Sequence, residues 1–116
     1  MEYHAHIYWW NQRHREIAMQ MRAELERIGG QVGAVHDIPI GPHPHAMFQV
    51  VYDSQNQQLI EDTINTMRQD LSVLLHESIN DDVRDHTLGA RWLGKELELD
   101  LVWLQKYVDE RNARCK

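Results

Sequence analysis

Apolar and polar side chains alternate at the start of the chain and predict a first strand over Tyr3–Trp10. Successive side chains of a strand point to opposite faces, so Ala5, Ile7 and Trp9 would share one face. The opposite face would carry His4, His6, Tyr8 and Trp10. The aromatic side chains in this segment also favour a strand over a helix.

A first helix is predicted next, with Asn11 as its N-cap. Apolar residues recur along it at helical spacing, namely Ile17, Met21, Leu25 and Ile28. Gly29-Gly30 would end this helix, because glycine readily adopts the left-handed conformation found at helix C-termini.

A proline-rich loop separates the next two predicted strands, which are Gln31–His36 and Met47–Tyr52. The prolines of this loop are Pro39, Pro42 and Pro44. Because proline fixes one backbone angle, the loop should be extended and restricted, which suits a preorganised site.

A second helix is predicted after Ser54, which forms a capping-box pattern with Gln57. Its apolar line comprises Leu59, Ile60, Thr63, Ile64 and Met67. Leu71–His76 is apolar and fits a buried strand. The order strand, helix, strand, strand, helix, strand predicts a ferredoxin-like split β-α-β sandwich of the α+β class. It would have a four-stranded antiparallel sheet with two helices on one face.

The chain beyond His76 is predicted to form an extension of the same domain, which we take to span residues 1–116. Asp81–His86 is polar and fits a loop or a single helical turn. Leu97–Trp103 alternates like a strand, whereas helical spacing relates Leu101, Leu104 and Val108. We expect a short extended piece and then a C-terminal helix capped by Asp100. Apolar surface here could cover a sheet edge of a second copy, so we expect a homodimer.

Composition narrows the class of protein. The chain has 116 residues, of which 42% are hydrophobic and 26% charged, as in ordinary soluble domains. A net charge of −6 and the lack of any basic run argue against nucleic acid as a partner. No apolar stretch approaches the roughly 18 residues of a membrane span, and Met1–His4 lacks a signal-peptide pattern. We therefore expect no membrane partner and a cytoplasmic location.

Histidine is the unusual residue of this chain, with eight copies. We expect the first and third strands of the sheet to be parallel and the second and fourth to run opposite. The starts of strands one and three would then lie at the same sheet edge as the ends of strands two and four. Six histidines would meet there, namely His4, His6, His36, His43, His45 and His76. His14, in the first turn of a helix, is expected to be an ordinary exposed residue.

Clustered imidazoles indicate a metal site. Imidazoles that are packed together repel when protonated and lose solvation when buried. A metal ion relieves both costs, and neutral imidazole is the commonest metal ligand in proteins. Closed zinc sites usually include cysteine, whereas imidazole with carboxylate and open positions suits non-haem Fe(II). The single cysteine, Cys115, is next to the last residue, so we expect Fe(II).

Three segments, Tyr3–Trp9, His36–Pro44 and Met47–Val50, resemble the DOPA 4,5-dioxygenase family, and Leu75–Gly94 follows the same pattern. The resemblance implies a ferredoxin-like fold and, as in characterised members, extradiol cleavage of L-DOPA or a related catechol with Fe(II) and O2. Two positions depart from the family pattern. Glu77 replaces an expected proline, and Leu88-Gly89 replaces an Asp-His pair.

Within this pattern we predict that His6, His43 and His76 bind the metal, because they come from three different strand ends. A carboxylate could replace one of them, and Glu77 is the local candidate. His86, in the polar segment beyond the fourth strand, is predicted to act as the acid or base. Two further histidines are predicted to orient ligands or contact substrate, namely His4 and His36.

Two alternatives stay open. The first is a non-catalytic dimeric protein of the same fold that binds a metal or a small molecule, motivated by the departures at Glu77 and Leu88-Gly89. The second is a monooxygenase of the small dimeric α+β type. Such enzymes often need no metal, so metal content would distinguish them from the dioxygenase.

Overall fold

One antiparallel sheet runs through the molecule and is covered by helices on one face. The computed structural model describes residues 1–114. Its elements in chain order are β1 (Glu2–Trp9), α1 (Gln12–Arg27), β2 (Gln31–Val32), β3 (Ala46–Asp53), α2 (Gln57–Met67), β4 (Val73–Glu77), α3 (Asp82–Asp85), β5 (Ala90–Leu93) and α4 (Leu101–Arg114). The strand order is β2-β3-β1-β4-β5. The predicted α+β class and split β-α-β order are confirmed, and β5 adds a fifth strand.

The directions of the strands differ from the expectation. β1 runs antiparallel to both of its neighbours, β3 and β4. The expected parallel first and third strands are therefore wrong. A helical crossover makes β1 and β2 parallel, and β3 lies between them in the opposite direction. Trp9, at the end of β1, consequently pairs with Ala46 at the start of β3. Strand direction does not bring the six histidines to one edge.

The main core lies between the sheet and the two long helices. β1 supplies its predicted apolar face, Ala5, Ile7 and Trp9. The helices contribute the buried side chains Ala18, Met21, Leu25, Ile60 and Ile64. Each fully buried aliphatic side chain of this size stabilises the fold by about 1.5–3 kcal/mol. This core fixes the sheet and leaves its other face for the site.

The ends of the helices show which local signals were correct. Asn11 caps α1, because its side chain accepts a hydrogen bond from the His14 N–H at 2.8 Å. The predicted capping box at Ser54 is absent, since α2 begins at Gln57 without a side-chain cap. The Asp53 carboxylate instead accepts from the N–H of Gln55 at 2.8 Å. A turn therefore comes between β3 and α2.

His14 is buried rather than exposed, with 2% of its surface accessible. Its Nε2 lies 2.9 Å from an Asp70 carboxylate oxygen, and Arg13 reaches the same oxygen at 2.8 Å. The predicted exposure was wrong because Asp70 is distant along the chain and only the fold brings it to α1. His14 belongs to this structural pair and lies apart from the other histidines.

The C-terminal region contains both expected and unexpected elements. The single helical turn appears as α3, and α4 is capped by Asp100, whose carboxylate accepts from the Trp103 N–H at 2.9 Å. The expected second strand shortens to Gln31–Val32, with one further bridge between His36 and Met47. No helix within residues 1–114 is both long and apolar enough to cross a membrane.

Candidate metal centre

The open face of the sheet carries the first part of the site. The alternation along β1 places His4 and His6 on this face, as predicted, together with Tyr8. His76 stands opposite His4 in the neighbouring strand β4, and Leu74 shares its face with Tyr8. The His6 and His76 ring centres are 5.3 Å apart. Strand periodicity and register therefore bring two of the predicted ligands into contact.

The loop over residues 33–45 brings in His43. β3 starts beside the end of β1, yet the His43 ring centre lies 4.7 Å from that of His6 in the middle of the strand. The loop therefore turns back across the open face. The His43 N–H donates to the Ile40 carbonyl at 3.1 Å, and the Pro42 carbonyl accepts from the Asp100 N–H at 2.8 Å. These contacts hold the turn in place.

The short helix α3 supplies His86. Asp81 caps this helix, because its carboxylate accepts from the Arg84 N–H at 3.1 Å. The His86 ring centre is 5.1 Å from that of His76 and 5.7 Å from that of His43. We call His6, His43, His76 and His86 the histidine cluster. His4 flanks it, with its ring centre 5.1 Å from that of His76.

Two groups within the site have three nitrogen atoms close enough to share an ion. One comprises His6, His43 and His86, and the other comprises His4, His6 and His76. In each group the nitrogens lie within 4.8 Å of one another. His6 belongs to both groups. The predicted ligand set joins His43 and His76 and coincides with neither group, so the choice of ligands stays a prediction.

Outer hydrogen bonds orient three of the imidazoles. The Nδ1 atoms of His76 and His86 lie 3.3 and 2.6 Å from the backbone carbonyls of Glu77 and Asp82. Because a carbonyl only accepts, each Nδ1 carries the proton and each Nε2 keeps its lone pair. Such outer partners are characteristic of histidines that bind a metal. The His43 Nδ1 lies 2.7 Å from the Tyr8 hydroxyl, which fixes the orientation of the ring but, unlike a carbonyl, can either donate or accept.

His6 provides the test of whether an ion fits. Its Nε2 lies 3.1 Å from the His76 Nε2, and its buried Nδ1 has no hydrogen-bond partner among residues 1–114. Two imidazoles bound side by side at a zinc-like 2.1 Å would have nitrogens about 3.0–3.4 Å apart. The Nε2 spacing therefore fits a divalent ion shared by His6 and His76. The unpaired Nδ1 of His6 is a different atom, and an ion bound at Nε2 would not satisfy it.

The electrostatics of the site keep His6, His43 and His76 neutral. Burial, helped by the neighbouring His86 and His76, lowers the pKa of His43 to about 4. Burial also lowers the pKa of His76 to about 4 and the pKa of His6 well below its ordinary value. Neutral imidazole is the form that binds metals, so the site is prepared for an ion at neutral pH.

The other predicted residues lie outside the histidine cluster. His36 is half-buried beside His43 and lines a neighbouring cleft. His45 contacts Trp10, with ring centres 5.0 Å apart. Glu77 lies next to His76 in β4, so its side chain points to the opposite face and lines a separate cleft there. Glu77 is therefore not the carboxylate of this site.

A cavity of about 440 Å³ adjoins the histidine cluster, a size that suits a small molecule. No local signal in the sequence indicated Arg111, which lines the cavity, whereas the role of Tyr8 beside His43 could have been found from its alternation with His4 and His6. Asp85, in the segment that follows the family pattern, also lines the cavity. Asp85 is 3% exposed, its carboxylate lies 3.9 Å from the His76 Nδ1, and burial raises its pKa.

The fold and site define a small α+β protein with a histidine-rich cavity on an open antiparallel sheet. Residues 3–103 match the Dopa 4,5-dioxygenase family, so the chain belongs to this family. A crystal structure of a candidate dioxygenase from Nostoc punctiforme superposes with a TM-score of 0.86 at 32% identity. That similarity covers 91% of this chain and 92% of the other.

Two fungal relatives are longer than this chain. DOPA 4,5-dioxygenase of Amanita muscaria is 29% identical over 94% of this chain and 52% of its own length. An uncharacterized 21.2 kDa protein of Botryotinia fuckeliana is 31% identical over 93% of this chain and 66% of its own. The chain thus spans about half to two thirds of the length of these relatives. The single-domain organisation stays a prediction.

Proposed function

We propose that this protein is a non-haem Fe(II)-dependent extradiol dioxygenase that opens the ring of L-DOPA or a related catechol. The observation that carries the proposal is the clustering of the imidazoles, whose nitrogens form two groups of three that share His6 and lie within 4.8 Å of one another in each group. Family membership supports an oxygenase. Fe(II) held by these residues would supply the redox chemistry by which a catechol reduces O2.

In this proposal His6, His43 and His76 hold the ion. His6 belongs to both possible ligand groups, so it would bind the ion whichever of the two groups is used. The Tyr8 hydroxyl and the Glu77 carbonyl keep the rings of His43 and His76 oriented. The His4 Nε2 lies 2.7 Å from a Glu2 carboxylate oxygen. We propose that His4, beside the histidine cluster, orients a metal ligand or contacts the substrate.

His86 is our proposed acid or base. Its Nδ1 proton is donated to the Asp82 carbonyl, so only Nε2 can accept the proton that a catechol hydroxyl loses. His86 lines the cavity, where a bound substrate could reach it. His36 lies behind His43, so we propose that it acts through His43 and does not touch the substrate.

The test is anaerobic Fe(II) reconstitution followed by a panel of catechols that includes L-DOPA. Oxygen uptake and the yellow ring-opened product are recorded together after air is admitted. We expect both signals with Fe(II) and neither in the metal-free protein. His45→Ala is a matched control, because His45 lies outside the histidine cluster and should be dispensable. Failure of every catechol to react would contradict the proposal.

Single variants of the histidine cluster separate binding from proton transfer. His43→Ala should lose stoichiometric metal, and His6→Ala should do the same. His86→Ala should retain metal but lose turnover. If His86→Ala loses metal while His76→Ala keeps it, the ion is held by His6, His43 and His86 instead. Metal content is measured on folded protein, so that misfolding is not mistaken for ligand loss.

The departures from the family pattern do not adjoin the cavity. Leu88 is 86% exposed, and Glu77 faces the opposite side of the sheet. They therefore give no structural support to a non-catalytic protein. The same experiment tests that alternative, which predicts tight metal binding without turnover. Incorporation of one oxygen atom instead of two would favour the monooxygenase.

We further propose a homodimer. Three apolar side chains, Ile38, Leu88 and Val102, are 74–86% accessible. Burying such side chains against a second copy would be favourable. Sedimentation should therefore give twice the monomer mass, and a monomer at all concentrations would contradict this proposal.

A further inference from the structure

Helix α4 closes one side of the cavity. Trp103, Leu104, Tyr107 and Arg111 of this helix line it. Trp103, Tyr107 and Arg111 follow one another at intervals of four residues and therefore share one helical face, with Leu104 three residues before Tyr107. The family match ends at residue 103, whereas α4 continues to Arg114. Most of this wall therefore lies beyond the matched segment.

Arg111 supplies the positive charge of this wall. Of the lysines and arginines in residues 1–114, Arg111 is the one that lines this cavity, whereas Lys95 lines a larger neighbouring cavity that His43 and His86 also border. The Arg111 Nη1 donates to an Asp82 carboxylate oxygen at 2.7 Å. A guanidinium has five N–H donors, so this bond leaves further donors available. Arg111 is about one third exposed and remains accessible to a ligand.

The aromatic side chains of α4 hold the guanidinium in position. The Arg111 guanidinium carbon lies 5.6 Å from the centre of the Tyr107 ring. Tyr107 in turn stacks on Trp103, with ring centres 5.2 Å apart and planes 6° apart. The cation–π contact and the Asp82 bond limit the motion of a long side chain, which reduces the entropy lost on binding.

We propose that Arg111 binds a carboxylate on the substrate side chain and so selects catechols that carry one. This inference rests on the proposed dioxygenase function and adds the residue and the chemical group that decide specificity. A planar guanidinium matches a carboxylate with two parallel hydrogen bonds. The aromatic ring would then lie between Arg111 and the histidine cluster, since both line the same cavity.

A purely structural role is the competing explanation, because the pair of Arg111 and Asp82 also ties α4 to α3. The two roles differ in what Asp82→Asn should do. If the pair is only a tie, Asp82→Asn and Arg111→Gln break the same contact and should behave alike. If Arg111 binds substrate, Asp82→Asn leaves the guanidinium free and should preserve or strengthen carboxylate binding.

The experiment compares two probes that differ in the carboxylate, dihydroxyphenylpropionate and ethylcatechol. Their affinities for the Fe(II)-loaded full chain are measured by calorimetry without oxygen, so turnover is not required. In Arg111→Gln the affinity for dihydroxyphenylpropionate should fall about tenfold to a hundredfold. The affinity for ethylcatechol should stay within about twofold, and Asp82→Asn should keep the preference for the acid.

The possible results distinguish carboxylate recognition by Arg111 from a structural role and from failure of the proposed catechol function. Equal loss of both probes in Arg111→Gln and Asp82→Asn would overturn carboxylate recognition and leave a structural tie. Unchanged binding of dihydroxyphenylpropionate to Arg111→Gln would also overturn it, while the dioxygenase proposal would stand. Failure of both probes to bind the wild-type protein would overturn the catechol function itself, and the inference with it. Circular dichroism of each variant checks that α4 remains folded.

Discussion

Acidification should destabilise the metal-free protein through His43 and His76. Their pKa is about 4 in the folded protein, against an ordinary value of 6.5, because burial disfavours the charged form. Between these two values the unfolded chain binds protons that the folded chain excludes. Stability is therefore complete above pH 6.5 and is lost progressively as the pH falls towards 4.

The size of the effect follows from these two pKa values. Moving from about pH 7.5 to about pH 5 should lower the free energy of unfolding by about 2 kcal/mol for each histidine. The sum, about 4 kcal/mol if the two groups titrate independently, is a large part of the 5–15 kcal/mol typical of a domain. Most carboxylates stay ionised over this range, so the histidines should dominate.

The assay is urea unfolding of chelator-treated protein at both pH values, followed by tryptophan fluorescence. His43→Gln and His76→Gln should each remove about 2 kcal/mol of the pH dependence, and the lowered pKa of His6 should leave part of it in place in both variants. His45→Gln is the control, because His45 lies against Trp10 outside the histidine cluster. Equal stability of the metal-free wild type at both pH values would refute the neutral, buried cluster.

Three further predictions concern single side chains. Tyr8→Phe removes the hydroxyl partner of His43 and should lower metal affinity about tenfold to a hundredfold. The affinity is measured by competition with a chelator, and an unchanged value would exclude an orienting role for Tyr8. Ile64→Ala empties a fully buried position and should lower the free energy of unfolding by about 2–5 kcal/mol, and a loss of less than about 1 kcal/mol would contradict tight packing of this core. Gly30→Ala would put a Cβ 2.7 Å from the Val50 Cγ2 and should lower the free energy of unfolding by about 1–3 kcal/mol in the same urea assay. Wild-type stability would show that the neighbouring side chains can move away without a measurable loss of stability.

Local patterns predicted the secondary elements that depend on neighbouring residues. The alternation along β1 assigned both of its faces correctly, because strand periodicity is a property of the backbone. Asn11 and Asp100 were recognised as caps for the same reason, since a cap acts within three residues. The prediction at Ser54 was wrong because the Asp53 carboxylate accepts from the N–H groups of Gln55 and Asn56, which form a turn before α2 begins at Gln57.

Features that depend on distant partners could not be predicted in this way. β5 was not recognised because four residues, Ala90–Leu93, carry too short a pattern, and pairing with β4 makes them a strand. The burial of His14 depends on Asp70, which lies beyond the second helix. Arg111 reaches the cavity only because α4 docks against the proline loop, where the Asp100 N–H meets the Pro42 carbonyl.

The histidines were predicted to meet on the basis of incorrect strand directions, yet most of them do lie together in the structure. His6 and His76 meet because antiparallel neighbours place side chains of the same face side by side. His43 starts near the far end of β1 and reaches His6 only because the loop turns back. A loop restricted by proline can hold such a turn with little further loss of entropy. The residue types of the site and the restricted loop could therefore be predicted from the sequence. The path of the loop could not, because it depends on contacts with β1 and α4.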